Sequence, residues 1–290
     1  MVLVYYYANL YSMAIQSGGK LNQLERLLPE GLLVDAAWME DHGYSRALRS
    51  QYVANRWLVQ PVRSTYCRPR GSLSWEQVII SLQTLLHYPV SVGGRTALER
   101  HGYAHYLYHT QQAVHLYTDA KLPAWLSKLP GLPKFIIHNR SRLLPEIIDY
   151  SDQLSLETDY ANEPIPPLPG VMTVDPWGQW HWPLVMSSPE RAILEIMDDV
   201  PKHASFDMAD KFMEGLLSLR PRQMQSLLEE TKSIKVKRLF FYFADRHRSQ
   251  WLERIDRTKI DLGKGKRMIA LNGKLDTKYQ ITVPEEMDGL

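Results

Sequence analysis

"LLVDAAWMEDHGYSRALRSQYVANRWLVQPVRSTYCRP", Leu32 to Pro69, is the stretch on which the reading of this 290-residue chain turns. Its first part, "LLVDAAWMEDHG", reads as a short helix with Val34, Ala37 and Trp38 inward. Gly43 is its stop, because glycine takes the left-handed backbone that ends helices without strain. "YSRALRSQYVANRWL" reads as the next helix, with Ser45 placed to cap it. Leu48 and Tyr52, one turn apart, face a core. Arg46, Arg49, Ser50 and Val53 are spaced i, i+3, i+4 and i+7 and form the opposite, outward stripe. "VQPVRSTYCRP" alternates about an Arg-Ser turn and reads as a small hairpin. Just upstream, "LNQLERLLPEG" spaces Leu21, Leu24, Leu27 and Leu28 as one helix face, stopped by Pro29 and Gly31.

Helix, short helix, tight turn, third helix and hairpin is the order of a winged helix-turn-helix. The chemistry points the same way. A helix that shows Ser45, Arg46, Arg49, Ser50 and Val53 outward, with Arg56 at its end, suits base edges and phosphates in a major groove. Arg63 and Arg68 on the hairpin suit the flanking backbone. The expected partner is double-stranded DNA. Winged helices also serve as protein-interaction modules, and basic third helices also occur by chance.

Charge is segregated along the chain. Tyr44–Arg70 carries six arginines and no Asp or Glu, a net of +6. Leu144–Val200 carries eleven acidic residues against Arg191, a net of −10. Lys232–Arg267 carries twelve Lys/Arg against four acidic residues, a net of +8. Two such cationic blocks point to polyanion contact in two places. On this reading Lys235, Arg238 and Arg246 form a second basic surface along a late helix.

The bulk composition is that of a globular protein, 44% hydrophobic and 23% charged. No apolar run approaches the roughly 20 residues of a membrane span, so no membrane role is expected. The start, "MVLVYYYANLYSMAIQSGGK", lacks a basic n-region and a clean apolar h-region and is not read as a signal peptide. A strand, a tail and an extension upstream of a start at Met13 all remain open for it. A single cysteine, Cys67, excludes an intramolecular disulfide and a cysteine zinc site, fits a reducing cytoplasm, and reads as a small buried hydrophobe rather than a nucleophile. The organisation expected is a 1–19 extension, a 20–89 winged domain closed by the apolar helix "SLSWEQVIISLQTLLHYP", and a larger mixed α/β domain over 90–290. The fold class is α+β.

In that second domain "SVGGRTALERHGYAHYL", Ser91 to Leu107, invites a phosphate-loop reading and does not support it. A P-loop needs a glycine five residues before its Gly-Lys, and Pro89 stands there, with Arg95 in place of the lysine. The glycine pair reads as a tight turn into a helix over Arg95–His101. His101, His105 and His109 are spaced four apart, but Gly102 interrupts them and no carboxylate sits at a ligand spacing. They read as packed or interface histidines, and no metal or cofactor is expected. "AVHLYT" and "KFIIHN" read as strands and "LPAWLSKLPGLP" as a short helix or turn between them. "EPIPPLP" reads as a rigid connector, and "MTVDPWGQWHWPLVM" as a hairpin bent at Gly178. "SSPERAILEIMDDVP" has a marked helix start: Ser188 caps, Pro189 takes the first position, and Ile193, Ile196, Met197 and Val200 form a buried stripe. Further helices come after it, the last with Val236, Leu239, Phe240 and Phe243 on its apolar face. The chain closes on a hairpin with Asn272-Gly273 in a type I′ turn. G-x-S-x-G, H-E-x-x-H and full G-x-G-x-x-G motifs are missing. Gly71-Ser72 lacks the acidic pair that a nucleotidyltransferase places downstream. No catalytic constellation is expected.

The stretches "LLPEGLLVDAAWMEDHGYSRALRSQYVANRWL", "VGGRTALERHGYAHYL", "SSPERAILEIMDDVP", "KVKRLFFYFADRH", "LGKGKR" and "GKLDTKYQITVP", in this order, cover most of residues 20–284. In them the chain resembles the AbiEi antitoxins of type IV toxin–antitoxin systems, which are related to phage abortive infection. The resemblance implies a winged domain that represses the protein's own promoter at inverted repeats, with its recognition helix on Ser45–Asn55 and its wing on Val59–Arg70. It also implies a C-terminal antitoxin domain that opposes a separate nucleotidyltransferase-like toxin without a stable complex. It assigns no individual residue in that domain. The alternatives are a DNA-binding transcriptional regulator with a C-terminal sensor or oligomerisation domain and no toxin, and an enzyme acting on nucleic acid or nucleotides.

Overall fold

The computed structural model describes residues 19–103, 113–145, 150–165 and 167–287, a mixed α+β chain. Two compact units emerge: residues 1–86 with Leu122–Leu132, and His87–Lys121 with Pro133–Leu290.

The first unit opens with helix α1 over residues 19–27, whose Leu24, like Leu28 just beyond, is buried. Leu32–Gly43 is not the single helix that its spacing suggests. Leu33–Asp35 is a strand, β1, and Asp35 then caps α2 (Ala36–Asp41), its carboxylate accepting from the Trp38 amide at 2.9 Å. Trp38 and Met39 are buried and Ala37 is exposed. Gly43 stops the helix at φ +79°, as its position requires. Helix α3 covers Arg46–Ala54, with the Ser45 hydroxyl accepting from the Leu48 amide. It is shorter than the helical spacing suggests because Arg56 turns left-handed at φ +60°. Strand β2 (Thr65–Cys67) pairs antiparallel with β1, Leu33 opposite Cys67. Val59 bridges Cys67 on its other side, so the expected hairpin forms and β1 extends it. Helix α4 (Trp75–Thr84) starts at a reciprocal Ser74/Gln77 capping box, and its Ser81 hydroxyl accepts from the Leu33 amide at 2.9 Å.

The second unit is built on a five-stranded sheet. Its strands are β3 (Ser91–Val92), β4 (Ala113–Tyr117), β5 (Lys134–His138), β6 (Met172–Trp177) and β7 (Trp182–Ser187), in the order β5-β4-β3-β7-β6. β4 runs parallel to β5 and β3 parallel to β7, while β3–β4 and β6–β7 are antiparallel. The β6–β7 hairpin turns at Gly178 (φ +71°), where its sequence places it. Helices α5 (Gly94–Arg100), α6 (Pro189–Asp199), α7 (Phe206–Gly215), α8 (Pro221–Glu230) and α9 (Ile234–His247) complete the unit. α6 begins on the Ser188 cap with Pro189 in its first turn, and Ile193, Ile196, Met197 and Val200 are all buried.

The closing hairpin is where local sequence misleads. Strands β8 (Lys274–Asp276) and β9 (Ile281–Val283) pair antiparallel, and the residues between them are 277–280, not Asn272-Gly273. The Asn-Gly pair instead swings the chain across β9. Residues Arg267–Ala270 hydrogen-bond one edge of the Gln280–Thr282 run and Lys274–Asp276 the other. Asn272 takes φ +58°, and a Cβ at Gly273 would lie 2.3 Å from the Val283 carbonyl. The turn residues are right, but a long-range pairing decides what they join.

Candidate functional site

At about 100° per residue, Arg46, Ala47, Ser50, Gln51 and Ala54 share one arc of α3, and all are exposed. Leu48, Arg49, Tyr52 and Val53 share the other. Tyr52 is fully buried, Leu48 and Val53 are half-buried, and Arg49 is 3% exposed. Arg49 therefore does not belong to the outward stripe. Its guanidinium donates to the Ala36 carbonyl at 3.0 Å, the Tyr44 carbonyl at 3.1 Å and the Glu40 carboxylate at 2.7 Å. Two backbone carbonyls and the Glu40 carboxylate converging on it make a buried cation tolerable. Val53 is likewise less open than expected. Gln51 is exposed on the free face, one residue from Ser50, and carries no charge that would mark it in the sequence.

Ser45, Arg46, Ser50, Arg56 and Arg63 stand exposed. Among the described residues, Arg46, Arg56 and Arg63 have no ion-pair partner. Arg68 is held back at the base of the hairpin by Glu25 at 3.7 Å and Glu30 at 3.2 Å. Cys67 is buried, and burial pushes its thiol up to about 11, which removes it as a nucleophile.

The second cationic block behaves differently. Lys235 donates to the carbonyls of Asp198 at 2.6 Å and Val200 at 2.8 Å. Arg238 is 3% exposed and donates to the carbonyls of Leu262 and Gly265 at 2.7 Å and of Gln280 at 3.2 Å. Arg246 donates to the Met287 carbonyl at 2.8 Å and lies 3.3 Å from Asp210. These three do not form a basic surface. They tie α9 to the chain around it, and the cations are spent on internal acceptors.

The glycine pair holds a structural carboxylate. Gly94, at φ +51°, donates its amide to Glu195 at 2.7 Å, and Glu195 also accepts from Ser187 at 3.0 Å and Arg191 at 2.8 Å. Burial raises Glu195 against the pull of Arg191. A Cβ at Gly93 would lie 2.4 Å from both Glu195 and the Tyr117 ring. The mouth of α5 is thus filled by the chain's own carboxylate, in keeping with a turn rather than a phosphate loop. Of the three spaced histidines, His101 is hydrogen-bonded to the Ser187 carbonyl at 3.0 Å, and burial lowers its pKa. His105 and His109 lie outside the described residues.

A different imidazole pair is brought together. β4 presents His115 and β5 presents His138, adjacent strands in parallel register. Asp199 ends α6 beside them. His115 Nδ1 lies 3.0 Å from His138 Nε2 and 3.4 Å from Asp199 Oδ2, and His138 Nδ1 lies 3.3 Å from Asp199 Oδ1. Tyr117 stacks on His138 with centroids 4.5 Å apart. Burial lowers His138, partly offset by Asp199. His138 and Asp199 line a cleft of about 400 Å³ with Asn139, Arg142, His203 and Lys235. Both strands are visible in the sequence, but nothing in it singles out either histidine. Twenty-three residues separate them, and α6 lies further on, so no local spacing announces the group.

No helix among the described residues is long and apolar enough to cross a membrane. No curated protein sequence matches the chain. Among solved structures, the crystal structure of RV2827C protein from Mycobacterium tuberculosis matches with a TM-score of 0.52 at 16% identity, covering 90% of this chain and 88% of that one. At that identity the likeness is one of fold. The family model for the AbiEi antitoxin N-terminal domain of transcriptional regulators matches residues 17–109. The model described as transcriptional regulator, AbiEi antitoxin, type IV toxin–antitoxin system matches residues 111–284. Together the two models span nearly the whole chain, which belongs to the AbiEi family of transcriptional regulators and type IV antitoxins.

Proposed function

We propose that this chain is an antitoxin that represses its own promoter through a winged helix-turn-helix in its first unit and counters a separate nucleotidyltransferase-like toxin without a stable complex. The observation that carries the DNA half is the free arc of α3. This helix succeeds α2 across the Gly43 turn, shows Arg46, Ser50 and Gln51 outward, and is flanked by a hairpin with Arg63 exposed near its turn. Arginine and glutamine are the side chains that pair bidentately with guanine and adenine edges, and Arg56 and Arg63 suit phosphates. Ser45 is committed to capping α3 through its hydroxyl. Arg49 is withdrawn from this interface and Arg68 stands at its margin.

Family membership carries the antitoxin half. The test is growth. The neighbouring reading frame is expressed from an inducible promoter with and without this chain, and a promoter–reporter fusion is read in the same cells. Arrest by the neighbour, rescue by this chain and repression of the reporter are the expected results. A harmless neighbour with repression intact leaves a regulator with a sensor or oligomerisation domain. Rescue by a chain with Arg46 and Arg63 both changed to Ala would separate the antitoxin role from DNA binding.

A further inference from the structure

We propose that His115, His138 and Asp199 form a site for one divalent cation of the Zn²⁺ class, with a remaining coordination position toward the cleft beside α6. Each of the three offers one ligand atom, and these atoms lie within 4.8 Å of one another. They come from three separate elements, β4, β5 and the end of α6.

The Asp199 carboxylate is the second, independent observation. Its side chain is only 7% exposed, yet among the described residues it receives no hydrogen bond. Its nearest partners are the two imidazole nitrogens at 3.3 and 3.4 Å. Charge-assisted hydrogen bonds to a carboxylate run about 2.7–2.9 Å, so these contacts are too long to satisfy a buried charge. The His115 Nδ1–Asp199 Oδ2 separation of 3.4 Å and the His115 Nδ1–His138 Nε2 separation of 3.0 Å are near the roughly 3.3 Å between two ligands of one tetrahedral ion with bonds of about 2.0–2.1 Å. Two neutral imidazoles and one carboxylate are also a common donor set for such an ion. His115 is 4% exposed, whereas His138 lines the cleft, which leaves room for a water at the open position. The other histidine–carboxylate contacts among the described residues, His181–Asp159 and His247–Asp210, are at hydrogen-bond distance, 2.7 and 2.8 Å, and Asn162 and Arg246 add a second partner to each carboxylate.

The full-length chain, stripped with a chelator and dialysed, is titrated with Zn²⁺ by calorimetry, and Co²⁺ serves as a spectroscopic probe of ligand geometry. One Zn²⁺ per chain and the intense visible bands of four-coordinate Co²⁺ are expected. His138→Gln, at the cleft wall, should weaken Zn²⁺ at least tenfold and abolish the Co²⁺ bands, and the near-isosteric Asp199→Asn should do the same. Circular dichroism checks that each variant is folded. If one variant does not fold, the other carries the test. If neither folds, the wild-type Co²⁺ spectrum decides, and six-coordinate bands overturn the site. Absence of one-to-one binding, or binding that survives both substitutions and so belongs to surface pairs, also overturns it. A negative result leaves the antitoxin and repressor reading untouched, since neither rests on the cation.

Discussion

Two cationic blocks stand out along this chain, and three cations of the first and three of the second end in opposite conditions, while Arg248, Lys264, Lys266 and Arg267 of the second stay exposed. In the first, around α3, Arg46, Arg56 and Arg63 remain exposed and without ion-pair partners among the described residues. In the second, around α9, Lys235, Arg238 and Arg246 reach backbone carbonyls and are taken up by the unit itself. Both blocks look alike as charge counts. The difference lies in how many unsatisfied carbonyls each side chain meets. Segments 262–265 and 280 wrap past α9 with carbonyls turned toward it. The free arc of α3 meets none among the described residues. A cation within such a run is therefore part of a surface only where the fold offers it no acceptors. Arg49 makes the same point within the first block, being the one arginine of α3 that meets three acceptors.

Arg238 puts this contrast under the greatest load. Arg238→Ala strips the donor from three carbonyls in a buried setting and should cost about 3 kcal/mol. The lower melting temperature should be read by calorimetry, with operator affinity intact wherever the chain is folded. Unchanged stability with weakened DNA binding would return this block to the surface. Arg49→Ala should cost about 2 kcal/mol, and any loss of affinity should track loss of fold equally on operator and random DNA. Arg46→Ala is the converse. Melting should stay put while operator affinity, measured by anisotropy, falls by about 1–3 kcal/mol and random DNA is less affected. Arg63→Ala should lower affinity on both DNAs alike and make the salt slope shallower by about one phosphate contact. An unchanged slope would remove the hairpin from the interface.

The smallest effect is acid sensitivity in the second unit. Burial alone would raise Asp245, but hydrogen bonds from Arg257, Lys278 and Tyr279 outweigh it and hold the carboxyl at about 2. A folded value below the ordinary 3.8 means stability that is present above pH 4 and lost as pH falls toward 2. The loss should be about 1–2 kcal/mol, solvent screening included. Asp245→Asn should flatten that part of the stability–pH curve, and an unaltered curve would show that the cluster carries no such energy.

Much of the fold is legible in the sequence. The Ser188-Pro189 start of α6, the Gly178 bend of the β6–β7 hairpin, the Gly43 stop and the Ser45 cap all obey rules acting within a few residues. Strands β4 and β5 are visible as apolar runs. The failures share a different length scale. β1 hides inside an apparent helix because its partner β2 lies about thirty residues on. The Asn272-Gly273 turn points to the wrong strand pair because β9 contacts two runs of chain. Of the candidate sites, the exposed Arg46, Arg56 and Arg63 are legible, while the burial of Arg49 and the His115–His138–Asp199 group are not.

Local sequence is enough to set the caps and stops at Ser45, Gly43 and Ser188, the hairpin of the first unit, and the family to which the chain belongs. These depend on caps, turns and periodicity, which act over a few residues. Tertiary packing alone settles which cations stay free, that Glu195 fills the glycine turn, and that two imidazoles and a carboxylate converge. Each of those depends on which distant acceptor or donor the folded chain brings within about 3 Å, and no spacing along the sequence encodes that distance.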